Sequence, residues 1–127
     1  MYKTLSFFKY NPSLSVEECE RHYRTVHTPL IVEMFRGVPG FRAYQQGRVT
    51  SARAYAHNSL PPFAIEPEFH RVVELHWDAI PDLSSLGDAG ARAFADHPNF
   101  MDVDSPISMT SYEVDHVTAY ETGTSTT

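Results

Sequence analysis

Pro29 constrains this chain more than any other single residue. It sits inside an amphipathic stripe in which Cys19, Tyr23, Val26, Leu30 and Met34 recur at three- and four-residue steps, the spacing of one helical face. A proline there donates no hydrogen bond, and its ring clashes with the carbonyl four residues earlier, at Thr25. Thr28 is biased away from helical angles. The helix must therefore kink, or stop near His27 and restart with Thr28 as cap and Pro29 as first residue. Either way the Thr25 carbonyl loses its usual partner beside a histidine.

The helix start is well marked. Ser15 can accept from the backbone of Glu18 while the Glu18 carboxylate reaches back, a capping box. Before it, Tyr2 to Lys9 reads as an aromatic-rich strand ended by Asn11-Pro12. After the Gly37-Val38-Pro39-Gly40 turn, Phe41 to Val49 reads as a second strand. Residues 51–67, with Pro61, Pro62 and Pro67, read as a long connection, and such loops often serve as lids. Glu68 to Asp78 is a third strand, with Val73, Leu75 and Trp77 facing one way and Val72, Glu74 and His76 the other. Pro81 to Asp96 is a weaker helix, capped by Asp82 or Ser84 and softened by Gly87 and Gly90. Ile107 to His116 is the last strand.

The order β-α-β-β-α-β predicts a ferredoxin-like α+β fold: an antiparallel four-stranded sheet with two helices on one face. Residues 1–118 form one domain, and residues 119–127 are a polar tail expected to be disordered. The sheet's other face carries apolar residues and needs a cover. A second copy is the economical one, giving a homodimeric α+β barrel.

Composition narrows the function. Asp plus Glu is 16 against 10 Lys plus Arg, a net charge of -6, so no nucleic-acid partner and no anionic membrane surface are expected. No apolar run is long enough to span a bilayer, and the N-terminus has no signal-peptide pattern. The single cysteine, Cys19, excludes an internal disulfide and fits a reduced cytoplasmic location. No glycine-rich phosphate loop indicates a nucleotide, so no cofactor is expected. Seven histidines remain to be explained. His22 and His27 are five residues apart, not the four of a helical metal pair, so no metal site is expected.

Several residues carry the resemblance to a known family. Met1-Tyr2-Lys3 leads into a strand ending Phe8-Lys9, followed by Pro12, Leu14-Ser15, Glu17-Glu18, His22-Tyr23, Val26-His27 and Pro29-Leu30. Then come Val38 to Tyr44, Glu74 to Asp78, Asp96 and Phe100-Met101-Asp102. This run resembles the EthD family of dimeric α+β barrels over roughly residues 1–118, and the stretch His22 to Leu30 is its most specific part. The resemblance implies a small cytoplasmic protein. Its relatives act in aromatic catabolism and polyketide tailoring as isomerases, decarboxylases, dehydratases or cofactor-free oxygenases. Related cyclases often carry His-Pro-x-His after the second helix, whereas this chain reads His97-Pro98-Asn99-Phe100. The later histidine of those cyclases is absent here.

The residues themselves nominate a site. His27 shares the inner stripe with Tyr23 and Ile31, where a neutral imidazole can exchange protons with a bound molecule. Its other use is to bond the carbonyl that Pro29 frees. Tyr23 offers a phenol to a developing oxyanion, or packs as an amphipathic core residue. Tyr44, sharing a strand face with Arg42, is a candidate to line the pocket, with Phe7, Phe63 and Trp77 as apolar walls. His76 joins them if its strand faces inward; otherwise it pairs with Glu74 between sheets. His97 is a further candidate, pairing with an aspartate or simply ending the helix with Pro98.

The leading expectation is a cofactor-independent enzyme that moves a proton on a small apolar or aromatic carbonyl compound, with residues 51–67 as lid. A cofactor-free oxygenase of an electron-rich aromatic is one rival. A dimer that binds an apolar metabolite without turning it over is the other.

Overall fold

The computed structural model describes residues 1–84 and 86–117, so the predicted tail at 119–127 lies outside the described residues. β1 (Tyr2–Phe8) is followed by a helical rod in three parts: α1 (Val16–His22), a π-helical turn (Tyr23–His27) and α2 (Thr28–Arg36). β2 (Phe41–Arg48), a short hairpin of β3 (Ala52–Ala54) and β4 (Phe63–Ile65), and β5 (Arg71–Trp77) come next. α3 (Gly87–Ala95), a 3-10 turn (His97–Asn99) and β6 (Thr110–Glu113) complete the chain.

The main sheet has the order β2-β5-β1-β6, every neighbouring pair antiparallel. β1 and β2 are joined by the helical rod with β5 inserted between them, the split crossover of the ferredoxin-like fold. The alternation along β5 holds as the sequence predicts. Val73, Leu75 and Trp77 are buried beneath the helices, each worth about 1.5–3 kcal/mol as a side chain removed from water, while Val72, Glu74 and His76 take the outer face.

The capping box forms at the start of α1: Glu18 N–H donates to Ser15 Oγ at 3.1 Å, and Ser15 N–H donates to the Glu18 carboxylate at 3.2 Å. At Pro29 the rod does not stop. It widens for one turn, with Thr28 N–H bonding the carbonyl of Tyr23 five residues back and Thr28 Oγ1 donating to the same oxygen at 2.8 Å. A wider turn winds less per residue. The buried stripe therefore runs Cys19, Tyr23, His27, Ile31, Met34, and Val26 points outward, 44% exposed. The expected inward Val26 is corrected by this change of phase.

Three other expectations are corrected. Residues 51–67 are not all irregular, because the β3–β4 hairpin forms inside them. The second helix starts at Gly87, not Pro81; Asp82 Oδ1 takes the N–H and hydroxyl of Ser84 in a local turn and caps no helix. A bulge between Phe41 and Ala43 shifts the phase of β2, so Tyr44 lies opposite Leu75 on the helix side. Arg42 is left exposed beside Asp78 instead of sharing a face with Tyr44.

Candidate active site

The helical rod, the inner sheet face and the segment after α3 enclose a cavity of about 360 Å³. Tyr23, His27, Ile31 and Met34 line it from the rod; Ser6, Phe8, Tyr44, Val73 and Leu75 from the sheet. Phe94 and His97 come from the end of α3, and residues of the 101–109 segment, including Val103, Pro106, Ile107 and Met109, close the remaining side. Among the described residues, the lining contains one carboxylate, Asp102, and no lysine or arginine.

His27 is 3% exposed. Its Nδ1 lies 3.0 Å from Asp96 Oδ2. Asp96 is itself buried, and its other oxygen meets His22 Nε2 at 2.7 Å and the Asn99 amide at 2.9 Å. Burial pushes the Asp96 carboxyl up, but the hydrogen bonds from Asn99, His22 and His27 outweigh it and hold the group below the usual carboxylate range. An ionised carboxylate only accepts, so both imidazoles donate to it. That fixes the proton of neutral His27 on Nδ1 and leaves the Nε2 lone pair as its other hydrogen-bonding atom. Burial drives the His27 pKa down to about 4, against the pull of Asp96, so the ring is a neutral base at pH 7. His97, its ring centroid 5.2 Å from that of His27, is likewise pushed down by burial.

Tyr23 and Tyr44 form a second polar point, their hydroxyls 2.7 Å apart. Burial pushes both phenols up, so both keep their protons. One hydroxyl hydrogen is spent between them, which leaves the pair one hydrogen for a ligand oxygen. Behind Tyr23, buried Arg71 donates to Tyr10 Oη at 2.8 Å and pairs with Glu20, its guanidinium 5.1 Å from the centre of the Tyr23 ring. That ion pair lies outside the cavity lining.

Of the residues nominated from sequence, Tyr23, His27, Tyr44 and His97 come together at the cavity. Four do not line it. Trp77 is buried at the far end of β5, its indole N–H spent on Thr4 Oγ1 at 3.0 Å. Phe7 lies on the outer sheet face against Phe69. Phe63 belongs to the hairpin and is 56% exposed. His76 is on the outer face, 2.9 Å from Glu74. The 51–67 segment does not cover the cavity either; the 101–109 segment borders it. The predicted use of His27 as partner of a freed carbonyl gives way to Asp96, whose central place sequence spacing did not reveal. Among the described residues, no group of three or more His, Cys, Asp or Glu is placed to hold a metal ion, and no helix is long and apolar enough to cross a membrane.

The model of the EthD domain matches residues 11–104. Among solved structures, the fold is similar to that of an ethyl tert-butyl ether d (EthD) family protein from Bacillus halodurans C-125. The TM-score is 0.53 at 20% identity, covering 89% of this chain and 97% of that one. No curated protein matches the sequence.

Proposed function

This chain belongs to the EthD family, and we propose that it is a cofactor-independent enzyme that moves a proton on a small, uncharged, largely apolar carbonyl compound. The observation that carries this reading is the neutral His27 at the wall of an apolar cavity, its Nδ1 proton held by Asp96. In the proposed step, His27 Nε2 takes a proton from the carbon beside the carbonyl. The C–H electron pair becomes the double bond of an enolate, and the carbonyl oxygen gains the charge. The free hydrogen of the Tyr23–Tyr44 pair donates to that oxygen, and Asp96 holds the imidazolium. Where the enolate is conjugated with a further carbon–carbon double bond, return of the proton to the far carbon of that bond gives isomerisation; loss of a leaving group, with its electron pair, from the neighbouring carbon gives elimination.

The lining argues against an anionic ligand. It has no cation to pair an anion, and both imidazoles resist protonation. An anionic ligand would lose its hydration without compensation. The outer sheet face, with Leu5, Phe7, Val72 and Tyr112, supports assembly as a homodimer.

The test is release of deuterium to water from α-deuterated 2-tetralone and a panel of uncharged aryl ketones, followed by NMR. Acceleration by the wild type and its loss in His27→Ala is the expected result. Binding without acceleration would make the protein a carrier, and oxygen uptake would point to an oxygenase.

A further inference from the structure

We propose that His22 is a positioning residue for this site: through the shared Asp96 carboxylate it limits how tightly His27 holds a second proton. The inference rests on reading His27 as the proton-transfer group.

The two histidines are five residues apart. On a regular α-helix they would point about 140° apart, since each residue turns about 100°. No single carboxylate could then meet both from one side. The π turn changes this. Its bond joins residues five apart, Thr28 N–H to the Tyr23 carbonyl, so the rod winds less per residue between His22 and His27, and both reach Asp96. The irregularity around Pro29 thus creates the pairing. Asp96 Oδ1 takes His22 and Asn99, while Oδ2 takes His27. His22 is 25% exposed at its side chain and stacks on Phe100, whose ring also packs on His27. His27 is faced by Asp96, His97 and Phe100 from the end of α3, and by Tyr23 and His22 from its own helix.

A carboxylate that serves three donors is a weaker acceptor for each. Removing the His22 donor leaves more of the Asp96 charge to His27, which then holds a proton more tightly. The conservative replacements separate this effect from packing. His22→Phe keeps a ring over Phe100 and removes the donor. His22→Gln keeps an N–H for Asp96 and removes the ring.

The experiment is an NMR titration of the His27 ring nitrogens in the ligand-free protein. In His22→Phe the His27 midpoint is expected to rise from about 4 by roughly one pH unit. In His22→Gln it is expected to stay near the wild-type value. Should His22→Phe fail to fold, His22→Leu read against His22→Gln gives the same comparison. An unchanged midpoint on loss of the donor overturns the proposal, as does an equal shift in both variants, which would make the loss of the imidazole's own charge, common to both, the cause. The titration uses no ligand, so its failure is separate from failure of the ketone-exchange assay, which alone judges His27 as the proton-transfer group.

Discussion

Asp96 and His27 meet at 3.0 Å across 69 residues of sequence, both with most of their surface removed from solvent. The contact orients the ring and stabilises the imidazolium that forms when His27 accepts a proton. Asp96→Asn keeps the shape and removes the charge. It is expected to lower the rate of ketone deuterium exchange by about 10²–10⁴-fold, the range associated with a working general base, while ligand affinity measured by calorimetry stays near wild type. Equal loss of affinity and rate would make Asp96 a structural residue only.

The same burial makes the protein acid-sensitive. The His27 midpoint falls from about 6.5 in the unfolded chain to about 4 in the fold. Between those values the unfolded state binds more protons, so the contribution of His27 is complete above pH 6.5 and is lost as pH falls toward 4. His97 acts in the same direction. Asp96, held below its usual range, adds a loss at still lower pH. Urea midpoints measured from pH 7.5 to 4 are expected to fall steadily, and His27→Gln to flatten that slope. An unaltered slope in the variant would remove His27 as its source.

Much of this arrangement was legible in the sequence, for identifiable reasons. Period-two alternation placed Val73, Leu75 and Trp77 inward, and with them His76 outward. Four-residue steps placed Tyr23, His27 and Ile31 on one face. Val26 went wrong because a stripe read at constant helical pitch cannot anticipate a π turn. Tyr44 was separated from Arg42 by a bulge, which leaves no composition signal. The link from Asp96 to His22 and His27 depends on how the end of α3 docks on the rod. Helical spacing constrains residues on the rod and says nothing of one from another element.

Gly90 marks that docking. It is buried in α3, and a methyl group there would stand 2.5 Å from Leu86 Cβ and 3.6 Å from Met34 Sδ. Gly→Ala in a helix normally gains about 1 kcal/mol from propensity. Here the clash falls on an atom next to the backbone, which cannot swing away. Gly90→Ala is expected to destabilise by about 1–3 kcal/mol in urea unfolding.

The outer sheet face tests the proposed dimer. Phe7 is 37% exposed there and lies opposite Val72, with Leu5 two residues along the same face; Lys3, Glu74 and His76 form a polar cluster beside them. Lys3 and Glu74 already satisfy one another at 2.9 Å, so the face can be covered without leaving a lone charge. Phe7→Asp places an unpaired carboxylate in the apolar part. Sedimentation at micromolar concentration is expected to find the wild type as a dimer and Phe7→Asp as a folded monomer. Because Phe7 is remote from the cavity lining, the monomer should retain the His27 titration of the wild type. A wild type that sediments as a monomer would leave this face exposed and defeat the assembly.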